Sequence, residues 1–295
     1  MYNQIAANKR KTWLLLIIFA VVILGLGYAL GYYYGDVFGL LTLAGLITII
    51  MGLVGYYGGD KVALGLAGAK QINQSDNIYL WRLVENLCIS QGMPMPKIYL
   101  MPEAAINAFA TGRDPKHASI AVTQGALTKL NNEELEGVLA HELSHIKNYD
   151  IRLATLVIIL VGLIAIMSDI LLRSHIFGGS RRSSSDNRQG AGLIMILGLI
   201  LAILSPLIAN LIKLAVSRKR EFLADASAAL MTRYPAGLAN ALNKINNDKT
   251  PLTKSSPATQ HLYLAAPFTG SRLMMNLWST HPPIEDRIKA LKEMG

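Results

Sequence analysis

The sequence predicts a mainly α-helical integral membrane protein that also carries an α+β domain with a small sheet. Hydrophobic residues make up 52% of the 295 residues, and the mean hydropathy is +0.35. Both values are high for a soluble protein. Long apolar runs alternate with polar segments in which helix and strand patterns are mixed. We therefore expect membrane helices and a soluble domain in the same chain.

Four apolar runs are each close to the roughly 20 residues that a helix needs to cross a bilayer. They cover residues 13–33, 38–56, 153–172 and 191–216. The first run follows Lys9, Arg10 and Lys11, and it is too long for the apolar core of a secretory signal peptide. We interpret it as a retained signal anchor, and the sequence predicts four transmembrane helices.

The chain divides into four parts when the positive-inside tendency sets the orientation. The three cations at 9–11 place the amino terminus in the cytoplasm, and two crossings return the chain there. The expected parts are a two-helix hairpin at 1–58, the first part of a cytoplasmic domain at 59–152, a second apolar hairpin with a mobile Gly/Ser-rich loop at 153–216, and the second part of the cytoplasmic domain at 217–295.

The soluble segment shows the order helix, strands, helix. Ile78–Gln91 has the apolar spacing of a helix, and Asn131 with Glu134 has the spacing of a capping box that starts another. Three short strand-like runs lie between them, at 97–101, 106–111 and 119–123. The second helix is expected to continue into the apolar run at Leu153. This order predicts an α+β unit directly below the membrane.

The string HELSH, from His141 to His145, matches the pattern H-E-x-x-H. This spacing places two imidazoles one turn apart on one helix face, where both can bind a single Zn²⁺. Glu142 then lies close enough to take a proton from water as that water attacks a carbonyl. Short motifs also occur by chance, and the alternative is a pair of surface histidines with a salt-bridging glutamate.

A catalytic zinc usually takes three protein ligands, so a third is needed. Glu221 follows the fourth apolar run on a helical stretch, and Asp225 lies one turn later on the same face. The pair fits a ligand and a carboxylate that orients a zinc-bound histidine, although a solvated helix is the alternative. Asp150 lies five residues past His145, about 140° around a continuous helix, so we expect it to face away from the metal.

Several motifs in one order make the chain similar to a known family. After the paired amino-terminal spans come NAFATG at 107–112, HELSHI at 141–146, an apolar hairpin, EFLAD at 221–225 and HPP at 281–283. In this order, over nearly the whole chain, the sequence resembles the HtpX-type membrane metallopeptidases, relatives of the CaaX prenyl protease.

The resemblance implies a zincin-like metalloprotease domain with one Zn²⁺ per chain. It implies that His141, His145 and Glu221 are the ligands, that Glu142 is the catalytic base, and that Asp225 orients a ligand.

The resemblance also suggests substrate contacts. Asn107, Ala108, Phe109 and Ala110 match a strand beside the active site, whose edge can pair with an extended peptide. His281 matches a histidine that can hydrogen-bond substrate or stabilise an oxyanion. An ordinary edge strand and a plain helix start are the respective alternatives.

The second apolar hairpin is harder to place. His145 and Glu221 can share a metal only from the same side of the membrane, so the chain crosses twice between them or not at all. Arg173, Arg181, Arg182 and Arg188 oppose a crossing, and so do Asp169 and Pro206 within the runs. Because the first two helices set the orientation, we favour four spans over a hairpin partly buried against protein.

The sequence predicts a membrane-bound zinc endopeptidase that cleaves membrane or membrane-associated proteins from the cytoplasmic side, in protein quality control under stress. Alternatives are an intramembrane site-two protease, disfavoured by the charges around HELSH, and a scaffold or holdase with a structural metal. The bilayer explains the net charge of +9 better than nucleic acid, which is not an expected partner. Cys88 is alone, so no intrachain disulfide is expected, and the oligomeric state stays open.

Overall fold

A computed structural model of the chain describes residues 2–162, 218–253, 262–264 and 282–295. The described part is mostly helical, with one small sheet. In chain order its elements are α1 (Tyr2–Tyr34), α2 (Val37–Leu66), β1 (Lys70–Gln71), α3 (Ile78–Gln91), β2 (Lys97–Met101), β3 (Ala108–Gly112), β4 (Ala118–Thr123), α4 (Gln124–Lys129), α5 (Asn132–Lys147), α6 (from 150 to 162, where this described range ends), α7 (Arg218–Thr232), α8 (Pro235–Asn247) and α9 (Ile284–Lys292).

Two helices of the described residues are long and apolar enough to cross a membrane, at Ile5–Tyr34 and Val37–Leu66. They match the first two predicted spans. α2 runs beyond the expected end of the hairpin at 58, so Asp60 and Lys61 belong to its last turns. The rest of the third predicted span, the fourth span and the loop between them lie outside the described residues.

The helix α6 packs against both membrane helices. Leu153, Leu156 and Leu160 form an apolar cluster with Leu15 and Phe19 of α1. α2 comes close to α6 at Gly59, where an added Cβ would lie 2.6 Å from Cγ2 of Thr155. Small residues permit this close approach of two helix backbones. The start of the third apolar run is therefore part of a three-helix cluster.

The sheet is mixed, with the strand order β1-β2-β4-β3. β2 and β4 are parallel, and β3 is antiparallel to β4 at one edge. The three predicted strands are confirmed within a residue or two. β1 has two residues, too short to give an alternating pattern, and was not predicted.

A capping box fixes the start of α5. The Asn131 side chain accepts from the backbone N–H of Glu134 at 2.9 Å, and the Glu134 carboxylate accepts from the N–H of Asn131 at 2.8 Å. The apolar face of α5 is buried against the sheet and against α7 and α8. The predicted helix at 78–91 is present as α3, and α8 and α9 complete the described helices of the carboxyl-terminal part.

The expectation of one continuous helix from HELSH into the apolar run is wrong. α5 ends at Lys147, Asn148 caps it, and Tyr149 has a left-handed φ of 60° before α6 begins at 150. Asn at a helix end and a single left-handed residue are typical of helix termination. The chain therefore turns between α5, which carries HELSH, and α6, which packs against α1 and α2.

Candidate active site

Two helices bring three side chains with metal-binding atoms together. His141 and His145 lie one turn apart on α5, and Glu221 comes from the first turn of α7. Their ligand atoms all lie within 4.8 Å of one another. His141 and Glu221 are buried, and His145 is partly exposed. The structure thus groups the three residues that the sequence proposes as ligands.

The spacing of these atoms fits one tetrahedral ion. The two Nε2 atoms are 3.1 Å apart, and each is 3.7 Å from a carboxylate oxygen of Glu221. A tetrahedral ion with bonds of about 2.1 Å holds its ligand atoms about 3.4 Å apart. Two imidazole nitrogens and one carboxylate are also a donor set that catalytic zinc sites use. Both the donors and their geometry fit zinc.

A carboxylate holds the far nitrogen of each imidazole. Oδ1 of Asp225 lies 2.9 Å from Nδ1 of His141, and Oδ2 of Asp150 lies 3.0 Å from Nδ1 of His145. In both rings Nε2 consequently faces the cluster, since a partner on Nδ1 fixes the ring orientation. The structure thus brings Asp225 to the imidazole of His141.

The expectation that Asp150 faces away from the metal is wrong. It assumed that α5 continues, but the turn at Tyr149 brings Asp150 back beneath His145. Oδ1 of Asp150 also accepts from the side-chain amide of Asn8 at 2.7 Å and lies 3.3 Å from Nη1 of Arg220. One carboxylate therefore contacts α1, α5 and α7.

Arg287 is a residue of the site that the sequence reasoning missed. It comes from α9 and is fully buried. Its Nε and Nη2 donate to the two oxygens of Asp225 at 2.8 and 2.7 Å, and its Nη1 lies 3.5 Å from Glu221. A bidentate pair of this kind fixes both partners. The single arginine of a short amphipathic helix carries no spacing that would have singled it out.

Burial and neighbouring charges shift the pKa values of the two histidines. Burial lowers the pKa of His141, which favours the neutral ring that can bind a metal. Burial also opposes protonation of His145, but the hydrogen bond to Asp150 and the charge of Glu221 outweigh it and raise the pKa to about 9. The field that favours a proton on His145 equally favours a metal cation beside it.

Glu142 projects from α5 toward the sheet edge and is buried. The backbone N–H of Ala110 in β3 donates to its carboxylate, and burial raises the pKa of Glu142 to about 7. A carboxyl group with a pKa near neutrality can both accept and return a proton. The edge strand and the predicted base are thus in direct contact.

The predicted substrate residues lie on this edge strand or just before it. Ala108 and Ala110 turn main-chain groups away from β4: the carbonyl of Ala108 accepts from the N–H of Leu264 at 3.4 Å. Oδ1 of Asn107 accepts from the N–H groups of Ala108 and Leu264. Phe109 is fully buried, with its ring centroid 5.6 Å from that of Tyr263. His281 lies outside the described residues.

Three features define the class of a membrane-bound metalloendopeptidase. They are a helix that carries H-E-x-x-H, a glutamate that a second helix supplies, and two apolar helices long enough to cross a membrane. The family model described as peptidase family M48 matches residues 74–295. This chain belongs to that family. Its relatives include proteins named protease HtpX homolog from Dictyoglomus thermophilum, 45% identical over 100% of this chain and 95% of the relative, and from Tropheryma whipplei strain Twist, 44% identical over 100% and 99%.

The likeness extends to a solved structure. The crystal structure of S. mikatae Ste24p matches with a TM-score of 0.51 at 19% identity, over 95% of this chain and 66% of that one. At this identity the likeness shows the fold alone. Together with the family match, the comparisons confirm the HtpX-type resemblance and the predicted class of zinc metalloendopeptidase.

Proposed function

We propose that this chain cleaves membrane or membrane-associated proteins with one Zn²⁺ held by His141, His145 and Glu221. The observation that carries the proposal is the set of three separations, 3.1, 3.7 and 3.7 Å, among two Nε2 atoms and one carboxylate. They bracket the spacing of about 3.4 Å that a tetrahedral zinc ion imposes. Asp225 and Asp150 support it, because each aims one ring at the same point.

Glu142 is the general base in this proposal. When bound, zinc polarises the scissile carbonyl and lowers the pKa of water. Glu142 accepts the proton of the attacking water and passes it to the leaving amine, while the N–H of Ala110 holds the carboxylate in place. Arg287 stabilises the arrangement through Asp225, which fixes His141.

The substrate pairs with the edge of β3 in this proposal. An edge strand offers main-chain donors and acceptors to an extended peptide, and among the strands of the described residues β3 pairs with β4 alone. Asn107 and Phe109 position the strand from within. The peptide pairs with the carbonyl of Ala110, whose N–H is taken by Glu142, and it replaces the N–H of Leu264 at the carbonyl of Ala108. His281 is proposed to contact substrate, since it shortly precedes the helix that carries Arg287.

We place the active site on the cytoplasmic side. The contact between Asn8 and Asp150 supports this orientation, because it puts the start of α1 beside the site. Lys9, Arg10 and Lys11 flank the same contact, and such clusters favour the cytoplasm. The packing of α6 against α1 favours entry of the third apolar run into the bilayer, and thus four spans in all. A role in quality control under stress suits a peptidase so placed.

The orientation can be tested by labelling with a membrane-impermeant maleimide. In a Cys88→Ser background, Tyr34→Cys places a thiol at the far end of α1, and Asn73→Cys places one beside the soluble domain. We expect intact cells to label the first variant and inverted vesicles to label the second. The reverse pattern would place the site outside.

The catalytic assignment can be tested with a pair of substitutions on one helix. Glu142→Gln is expected to keep one zinc per chain and to reduce cleavage of a membrane-protein substrate at least about a hundredfold. Glu133→Gln, on the exposed side of α5, is the matched control and should match the parent. Glu221→Ala should lose the metal. A Glu142→Gln protein that cleaves at the parental rate would support a scaffold with a structural metal instead.

A further inference from the structure

A second candidate site lies between α2, the end of β3 and α6. It is a small pocket that is partly open to solvent. Its lining includes Tyr56, Tyr57, Arg113, His117 and Arg152. None of these residues belongs to the cluster around HELSH. The pocket is therefore a feature that peptide hydrolysis does not account for.

Two arginines of this pocket rest on tyrosine rings. Cζ of Arg113 lies 5.1 Å from the ring centroid of Tyr57, and Cζ of Arg152 lies 5.6 Å from that of Tyr56. Nε of Arg152 also donates to the carbonyl oxygen of Arg113. Stacked guanidinium groups lose little further freedom when they bind an anion. Each of the two cations is thus held in advance by a tyrosine ring.

The charge balance of the lining favours an anion. Among the described residues that line the pocket, Asp60 is the one acid, against two arginines. A second acid, Asp114, directly follows Arg113 in the sequence. Its Oδ1 lies 2.8 Å from Nδ1 of His117, and its other oxygen lies 3.7 Å from Nε of Arg113. That second distance is an ion pair but is longer than a hydrogen bond, so Asp114 does not take up Nε of Arg113 as a donor. Two arginines in the lining of one pocket suit the oxygens of a phosphate.

The depth of the pocket matches the headgroup region of a membrane. Tyr57 follows Phe38, near the start of α2, by 19 residues, or about 29 Å of helix, which is close to the thickness of the hydrocarbon core. Tyrosines are enriched at this boundary. Arg152 stands at the start of α6, just before its apolar residues. An anion in the pocket therefore sits at the level of lipid phosphates.

An apolar strip leads from the pocket toward the opposite end of α2. Tyr57, Leu53, Ile50 and Leu46 are spaced by four, three and four residues and so share one helix face. In the part of the chain that the structure describes, each leaves more than half of its surface exposed. Such a face is suited to contact with acyl chains.

We propose that this pocket binds the phosphate of an anionic phospholipid, with an acyl chain along the strip on α2. Two structural bonds connect the pocket to the edge strand: Oγ1 of Thr155 in α6 accepts from the N–H of Gly112 at 3.1 Å and lies 2.8 Å from Oγ1 of Thr111. A lipid between Arg113 and Arg152 ties the end of β3 to α6. The proposal does not depend on which residues bind zinc.

The test measures lipid retention by the full-length chain in detergent. The protein is incubated with phosphatidylglycerol or phosphatidylcholine, and bound lipid is counted by native mass spectrometry. The pocket variant is Arg113→Gln with Arg152→Gln. The control variant is Arg82→Gln, an exposed arginine on α3 that pairs with Glu85. We expect the parent and the control to retain one phosphatidylglycerol at about tenfold lower concentration than the pocket variant.

Equal retention of phosphatidylglycerol by the parent and a folded pocket variant would overturn the proposal, and so would equal retention of phosphatidylcholine by the parent. A second measurement needs no variant. Dioctanoyl phosphatidylglycerol should displace the long-chain lipid from the parent, whereas millimolar inorganic phosphate should not. If phosphate displaces the lipid as completely, the pocket recognises free phosphate and the lipid assignment is wrong.

Discussion

The side-chain amide of Asn8 donates to Oδ1 of Asp150 at 2.7 Å, and this bond joins the first membrane helix to the active site. The other oxygen of Asp150 lies 3.0 Å from Nδ1 of His145. Asn8 and Asp150 are both buried, so neither bond competes freely with water. The orientation of one proposed zinc ligand thus depends on a carboxylate that α1 helps to hold.

Asp150→Asn should weaken zinc binding without removing a ligand. The amide keeps the size of the side chain but loses the negative charge. That charge orients the imidazole of His145 and makes its Nε2 a stronger metal ligand. Changes of this kind typically cost about 10- to 100-fold in metal affinity. Competition with a chromophoric chelator measures the effect. Asp76→Asn, in an exposed loop, is the control, and equal zinc affinities of the two variants would remove Asp150 from the site.

The sequence could predict the motif residues but not Asp150. H-E-x-x-H has a fixed geometry on any helix, and EFLAD places its two carboxylates one turn apart. These patterns are local, so they can be recognised in the sequence without knowledge of the fold. The position of Asp150 depends on where α5 ends, and a single left-handed residue at Tyr149 reverses the inference from helical periodicity. Asn148 was the available signal, as a residue that often ends helices.

Arg287 shows a second limit of sequence reasoning. It reaches Asp225 from 62 residues further along the chain. Its helix has an ordinary amphipathic pattern, and an arginine there is usually solvated. Only the packing of α9 against α7 and α8 shows that the guanidinium is buried. The strand pattern, in contrast, predicted β2 and β4 well because both strands are regular and bounded by turn residues.

Arg287→Met is expected to destabilise the fold strongly. It leaves the carboxylate of Asp225 buried without its bidentate partner, and breaking a buried pair in this way costs about 3–5 kcal/mol. Arg287→Lys keeps the positive charge, so its free energy of unfolding should fall by less. Denaturant unfolding in detergent measures the difference in the free energy of unfolding. Lys289→Met, exposed on the same helix, should change it little; an Arg287→Met protein as stable as that control would contradict the account.

Asp248 should make stability depend on pH in acid. Burial raises the pKa of its carboxyl group, but hydrogen bonds from Thr250, Lys129 and the N–H of Ile106 outweigh this and lower the pKa to about 2 from a model-peptide value of 3.8. A folded-state pKa below the unfolded one contributes stability above about pH 4, and this is lost as the pH falls toward about 2.

Asp248→Asn lacks this carboxylate, so its deficit in unfolding free energy should be largest above about pH 4 and should vanish near about pH 2. Unfolding curves at several pH values measure the deficit. Lys129→Met removes one of the hydrogen-bond donors, at 2.9 Å, and should reduce the pH dependence only in part. A deficit for Asp248→Asn that stays constant across this range would contradict the assignment.

Two adjacent glycines of α2 provide the sharpest packing test. A Cβ at Gly59 would lie 2.6 Å from Cγ2 of Thr155, whereas a Cβ at Gly58 would meet nothing within 4 Å. Gly59→Ala should therefore push α2 from α6 and lower stability by about 1–3 kcal/mol. Gly58→Ala should be neutral or gain up to about 1 kcal/mol, since alanine is the better helix former.

The effect of Gly59→Ala should extend beyond stability, because Thr155 also holds the end of the edge strand through Thr111 and Gly112. If a substrate peptide pairs with β3, displacing Thr155 should raise KM for an extended peptide more than it lowers kcat. Thermal unfolding and steady-state cleavage of the two alanine variants test both points. If Gly58→Ala and Gly59→Ala changed thermal stability and KM equally, the contact between α2 and α6 would not position the strand.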